Sequence, residues 1–222
     1  VCFGVTRQTR HLINQPFGYE VDDIVCVEFP SDENRFHDEL KSLTYVDKIG
    51  AYGSLPTQWT MTGLRNNATG KYDYIGFIDG NRDFFDILGI RIIDDNTSVS
   101  AETEEGKWYV CESAYEGLSQ YMTDGMLNFF DAEPLGGIVE DIKIGNVKEE
   151  AYSKTPFVNV IDIPEMIRYG SLIMKVNIDE DKAKNMIYDF YRSQGYDDNM
   201  FIVYTLREEV ERELKEEKNM LK

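Results

Sequence analysis

The sequence is short of four things. Long hydrophobic runs are missing: the longest unbroken apolar stretch is Met200 to Tyr204, whereas a helix that crosses a bilayer needs about 20 such residues. Residues 1–15 hold no continuous apolar stretch, so no signal peptide is visible. Positive charge is scarce, with 23 Lys and Arg against 41 Asp and Glu in 222 residues and a net charge of −18. Phosphate-rich nucleic acid and anionic membrane surfaces both attract basic faces, so neither suits this chain as a main partner. Histidine is confined to His11 and His37, which fall on different expected helices. That leaves metal ligation and a histidine-based triad without support. Cysteine is limited to Cys2, Cys26 and Cys111, with no C-x-x-C spacing. Cys26 and Cys111 sit within apolar stretches and read as small buried hydrophobes.

Signature motifs are missing too. There is no phosphate-cradling G-x-x-x-x-G-K-[ST], no G-x-G-x-x-G and no G-x-S-x-G. Asn177-x-Asp179-x-Asp181 resembles the start of a calcium loop, but Lys182 and Tyr188 stand where glycine and glutamate are needed. A helix cap is the better reading. Among so many carboxylates, nothing selects a pair for acid–base work. Asn67-Ala68-Thr69 and Asn96-Thr97-Ser98 fit the glycosylation triplet, a pattern that arises often by chance. No cofactor is implied.

What remains is a globular composition: 42% apolar and 13% aromatic, enough to bury a core. The chain opens on Val1 and reads as a segment of a longer protein. In residues 1–15, Val1, Val5, Gln8 and Leu12 share one helical face. Pro16-Phe17-Gly18 breaks that helix. A strand follows over 24–29, with Val25, Val27 and Phe29 on one face and Ile24, Cys26 and Glu28 on the other. Phe36, Leu40 and Leu43 mark a helix over 32–43, and a strand over 46–52 closes the unit. The pattern returns near the other end. Leu172, Met174, Val176 and Ile178 alternate in a strand. Asp179, Glu180 and Asp181 suit a helix N-terminus. Ala183, Met186, Ile187 and Phe190 form an apolar stripe, Gly195 stops the helix, and 200–205 is the closing strand.

The segment between these halves is rich in short strands, expected at 72–78, 107–111, 127–130, 138–144 and 157–163. Helical pieces fit 81–88 and 113–121, and 96–106 is an acidic exposed loop. The expected class is therefore α+β: a split βαβ subdomain from 19–56 and 166–205, with a β-rich subdomain inserted at 57–165. Residues 207–218 carry six Glu and four Lys or Arg, with Leu206, Val210, Leu214 and Leu221 along one side. The last helix is either a frayed surface helix or a stalk, and the matching stripe at residues 1–12 favours helical stalks at both ends, over 1–18 and 206–222. Phe129-Phe130 is either core or an exposed contact pair for a partner.

Five segments, in order, carry a resemblance. Residues Asp79-Gly80-Asn81-Arg82-Asp83-Phe84-Phe85-Asp86-Ile87-Leu88-Gly89-Ile90 are similar to a segment of MacB-like periplasmic core domains, found in FtsX-like ABC transporter permeases. Trp108-Tyr109-Val110-Cys111-Glu112-Ser113-Ala114 resembles that family's strand-to-helix step, with Cys111 where asparagine is usual. Gly137-Ile138-Val139-Glu140-Asp141-Ile142, followed by Thr155-Pro156, is similar to a further strand. Asn14-Gln15-Pro16-Phe17-Gly18-Tyr19 resembles the linker after a first transmembrane helix. Phe36 to Leu43, then Val46, resembles a family helix. The family's glycine–arginine turn after Ile90 is missing, since Arg91-Ile92-Ile93-Asp94-Asp95 runs into the acidic loop.

The resemblance implies transmembrane helices before Val1 and after Lys222. It implies a bacterial inner-membrane protein whose domain faces the periplasm or the extracellular side. It also implies a non-enzymatic domain that couples cytoplasmic ATP hydrolysis to movement outside the membrane, for export or envelope work. The implied partners are an ABC ATPase subunit, a second permease in a homodimer or heterodimer, and a periplasmic adaptor. Val5, Leu12, Leu206, Val210 and Leu214 would serve as the stalk residues. Two other readings stand beside this one: a secreted or surface-anchored binding module, and a carboxylate-dependent hydrolase.

Overall fold

The computed structural model describes residues 17–29, 36–144, 156–169 and 171–220. The expected helix over 1–15, with Val5 and Leu12, lies outside these residues, as does Leu221.

The first half begins with β1 (Ile24–Glu28), the short helix α1 (His37–Lys41) and β2 (Val46–Ser54). Its counterpart is β11 (Ser171–Val176), α5 (Glu180–Ser193) and β12 (Ile202–Thr205). These four strands are neighbours in the order β12-β1-β11-β2, all antiparallel. The α5 helix starts where the carboxylate of Asp179 accepts a 2.9 Å hydrogen bond from the N–H of Lys182. Glu180 and Asp181 fill its acidic first turn, and Gly195 takes φ +89° just past its end. The Asn177–Asp181 stretch is thus a cap.

Both faces of this half are buried, whereas the βαβ pattern suggested helices on one face alone. Val25, Val27, Leu172, Met174 and Val176 face α1 and α5 and join Leu40, Ala183, Ile187 and Tyr191 in one core. Ile24, Cys26, Tyr52 and Ile173 face the other way, into a core with Phe84, Ile87 and Leu206. The second layer comes from a helix inside the intervening segment, α2 (Arg82–Ile87). It crosses β2 at Gly50, where a Cβ would stand 2.5 Å from the backbone nitrogen of Phe84. Only glycine permits that approach. Asn81 caps α2 with the oxygen that also accepts the N–H of Ala51, each at 3.0 Å. One side chain therefore starts the helix and fixes it to the strand.

The middle segment continues the same sheet. Its elements are β3 (Thr60–Arg65), β4 (Tyr72–Gly80), β5 (Ile92–Asp95), β6 (Lys107–Cys111), α3 (Glu112–Tyr115) running into a 3₁₀ turn (Glu116–Tyr121), β7 (Met122–Thr123), β8 (Met126–Leu127), β9 (Glu133–Val139) and β10 (Phe157–Val160). The order runs on from β2 through β4, β10, β6, β9, β8 and β7, with β3 on β4 and β5 on β9. Pairing of Tyr52 with Gly80 and of Ser54 with Asp79 joins the two parts. Leu64, Ile75, Val110, Leu118, Leu127 and Phe157 form its own core.

Several bounds differ from the pattern reading. The expected strand over 127–130 keeps only Leu127, because Phe129 turns in against Trp108, 4.6 Å between ring centroids. The expected strand over 138–144 is shifted back to Glu133–Val139. β3, β5 and the helix α4 (Pro164–Tyr169) had no apolar periodicity to announce them. Cys26 and Cys111 are buried free thiols, and burial pushes the Cys111 thiol up to about 12. His37 is half-buried beside Asp38.

Candidate functional site: the stem around the C-terminal helix

The last helix, α6 (Leu206–Met220), leaves β12 without a loop. Thr205 and Glu208 make the turn. The N–H of Glu208 donates to the Thr205 hydroxyl at 3.1 Å, and the N–H of Thr205 donates to the Glu208 carboxylate at 3.0 Å. This reciprocal pair is a capping box, which satisfies donors a helix start would otherwise orphan. It also sets the direction in which α6 leaves the sheet.

The apolar stripe of α6 is buried. Leu206 reaches the main core, while Val210 and Leu214 close over Phe17 with Tyr19 and Val21 alongside. Phe17 and Tyr19 lie with ring centroids 5.6 Å apart. Their segment is strapped down by backbone bonds: the N–H of Lys143 donates to Phe17 at 2.8 Å, and that of Glu20 to Leu88 at 2.8 Å. At Gly18, φ is +74° and a Cβ would stand 2.0 Å from the Asp141 carbonyl oxygen, so glycine is required. Residues 17–21 and the C-terminal helix thus form one stem.

Charged groups tie the stem to three places. Arg207 donates to Glu180 at 2.7 Å and also pairs with Asp22. The Glu180 hydrogen bond holds the Arg207 guanidinium above its ordinary value. Lys184 of α5 pairs with Glu208. Burial works against the Glu208 carboxylate, but Lys184 and the Thr205 N–H outweigh it and hold the group below the usual range. Glu209 is 3% exposed. It accepts from Gln58 Nε2 at 2.9 Å, in the turn after β2, and from Arg212 at 2.5 Å. Behind the stem, the Tyr52 hydroxyl meets that of Tyr204 at 3.1 Å, and Tyr204 donates to Glu28. Burial drives both phenols upward, so the pair stays protonated and works as a hydrogen-bond relay.

Of the stalk residues expected from sequence, Leu206, Val210 and Leu214 share this stem. Val5 and Leu12 lie outside the described residues. Phe129 and Phe130 do not act as a pair. Phe129 is half-buried against Trp108 and Phe157, and Phe130 is exposed and stacked on Tyr72 at 6.0 Å. Sequence reasoning missed Phe17 and Tyr19, which looked like a helix break and linker. It also missed Glu209, although Glu209 lies three residues after Leu206 and so on the stripe's own side. Thr205-x-x-Glu208 was visible as a capping pattern. Among the described residues, no helix is long and apolar enough to cross a membrane.

No family model and no curated protein matches the sequence. Solved structures do match its shape. The periplasmic region of MacB from Actinobacillus actinomycetemcomitans superposes with a TM-score of 0.58 at 11% identity, covering 92% of this chain and 98% of that one. The extracellular domain of the ABC-type transporter YknZ from Gram-positive bacteria gives 0.51 at 12% identity, over 82% of this chain and 100% of that one. A domain from Porphyromonas gingivalis described as part of a permease protein gives 0.52 at 11% identity, over 84% and 92%. The chain therefore has a mixed α+β architecture of the kind seen in MacB-like periplasmic domains.

Proposed function

We propose that this chain is the extracytoplasmic domain of an ABC transporter permease and that its stem transmits movement from the membrane. The observation that carries this reading is the near end-to-end likeness to domains described as parts of such transporters. The stem supports it. A helix continuous with a strand, anchored by Arg207 and Glu208 to α5 and by Glu209 to the turn after β2, moves as one piece with the sheet. In this reading 19–56 with 166–205 forms the porter-like part, 57–165 the inserted part, and the β2–β4 pairing the joint between them. Rigid-body rotation about such a joint is a common way to convert a push into a rearrangement. ATP hydrolysis belongs to a separate ATPase, and a second permease and a periplasmic adaptor are the further partners. The domain itself performs no chemistry.

The test is one of topology. In the full-length protein, apolar stretches of about 20 residues should lie on both sides of 1–222. With Cys2→Ser as background, Ser98→Cys on the exposed acidic loop should react in intact cells with a membrane-impermeant maleimide. Labelling only after lysis, or the lack of flanking apolar stretches, would rule the reading out.

A further inference from the structure

The β3–β4 hairpin carries an outward face that the permease reading does not use. Cross-strand partners share a face, and here Met61 stands opposite Gly76, Gly63 opposite Tyr74 and Arg65 opposite Tyr72. The N–H of Arg65 donates to Asn128 at 2.8 Å, which holds the 128–130 segment against the hairpin and lays Phe130 on Tyr72. Phe130 is 92% exposed, Tyr74 64%, Met61 52% and Tyr72 45%. The other side of the hairpin is packed, with Leu64 and Ile75 buried against Val110, Leu127 and Phe157. The exposed rings therefore stand on a rigid base. The Tyr72 ring lies over Gly63, where an added Cβ would sit 3.2 Å from it, so the glycine lets the ring lie close against β3.

Two further features say what fits this face. Among the described residues β3 pairs with β4 alone; Asn128 takes the N–H of Arg65, and the outer edge from Met61 to Gly63 stays open to an added strand. The Phe130 side is acidic: Asp131 and Glu133 follow it in the chain. Burial, together with the charges of Glu105 and Asp131, raises the Glu133 carboxyl. A second copy of this chain would bring the same acids face to face and add −18 to −18.

We propose that this face docks an extended cationic protein segment, in which aromatic or aliphatic side chains alternate with lysine or arginine. Its backbone adds to β3 beside Met61 and Gly63, its apolar side chains pack on Tyr72, Tyr74 and Phe130, and its cations meet Asp131 and Glu133. This inference does not rest on the permease reading and can fail without it.

The test uses the intact chain and a fluorescein-labelled peptide, Lys-Trp-Lys-Leu-Lys-Trp-Lys, with two controls in which Glu replaces Lys or Ser replaces the apolar residues. The cationic apolar peptide should bind at least tenfold more tightly than either control. Its amide shift changes should cluster at 60–65, 72–76 and 128–131. Phe130→Ser with Tyr74→Ser should weaken binding at least tenfold at an unchanged melting temperature. Asp131→Asn with Glu133→Gln should weaken it and flatten its salt dependence. Equal binding of the Glu peptide, shifts elsewhere, or indifference to these substitutions would overturn the proposal. So would dimerisation, or binding to neutral phosphatidylcholine vesicles, that Phe130→Ser abolishes in place of peptide binding.

Discussion

Glu209, buried on the first turn of the last helix, accepts a 2.9 Å hydrogen bond from Gln58 in the turn that follows β2. The contact spans 151 residues of sequence. It links the stem directly to the point where the chain passes from its first half into its middle segment.

Loss of either partner should be felt in stability. Gln58→Ala leaves a buried carboxylate with Arg212 as its remaining hydrogen-bonding side chain, and an under-satisfied buried group costs about 1–3 kcal/mol. Glu209→Gln keeps an acceptor for Gln58 and should cost less than Gln58→Ala. Urea unfolding followed by circular dichroism compares the two. An equal loss from both would show that charge, and not the hydrogen bond to Gln58, is what matters there.

The capping box gives an independent check on how α6 leaves the sheet. Thr205→Ala removes the hydroxyl that accepts the Glu208 N–H. The expected cost is about 0.5–2 kcal/mol. Thr205→Ser keeps the acceptor and should restore most of the loss. If alanine and serine behave alike in urea titrations, the hydroxyl does not cap the helix.

Much of this fold is legible in the residues, and the exceptions have physical reasons. Val25 and Val27 alternate with Ile24 and Cys26, so β1 reads as a strand from its period of two alone. The 107–111 strand has the bounds read from its sequence, yet Lys107 is buried there. Asp95, 2.5 Å from its ammonium, makes that tolerable, and Asp95 comes from β5, a strand that no periodicity announced. β3 is equally hidden, because an edge strand half in water needs no apolar alternation. On α5, Ala183 and Ile187 are buried as their spacing predicts, but Met186 is exposed and Tyr191 takes the inner place. The stripe expected at spacings of 3 and 4 lies one step off, since periodicity gives a face without fixing its centre. The stem divides in the same way. Its stripe on α6 is plain in sequence, whereas Phe17 is not, because nothing local says that residues 17–21 return to the C-terminal helix.

Acid pH acts in opposite directions on two aspartates. Burial raises the Asp79 carboxyl, partly countered by the Ser54 hydroxyl and its own N–H. The folded state therefore holds the proton more tightly than the unfolded chain. Stability from this group is present below the unfolded value of about 3.9 and is lost as pH rises from there through the raised folded value. Asp95 is the reverse case. Its hydrogen bond to Lys107 lowers it, so its contribution is present above about 3.9 and is lost as pH falls through the lowered folded value. Asp79→Asn should thus raise stability at neutral pH and remove part of the decline above pH 4. Asp95→Asn should lower stability at neutral pH and leave the buried Lys107 ammonium without its counter-charge. Melting temperatures from pH 3 to 7 separate the two. A destabilised Asp79→Asn protein at pH 7 would contradict the sign assigned to that burial.

The stem makes the most direct link between packing and the proposed role. Val210 and Leu214 are buried over Phe17, so truncation opens a gap: Leu214→Ala should cost about 2–5 kcal/mol if the site cannot collapse. A milder pair is needed to separate folding from transmission, because Asp at both positions would bury two unpaired charges. Leu214→Met keeps volume, Val210→Ile adds a single methylene and both stay apolar, so each should leave stability and transport near their starting values. On the proposed permease reading, Val210→Asp with Leu214→Asp in the full-length protein should leave ATP turnover measurable while transport falls, because the helix no longer carries the sheet with it. Stability measured on the isolated domain fixes how much of that fall is unfolding. If the double aspartate variant keeps transport at the unsubstituted level with the stem demonstrably opened, the helix is a tether and movement enters the domain by another route.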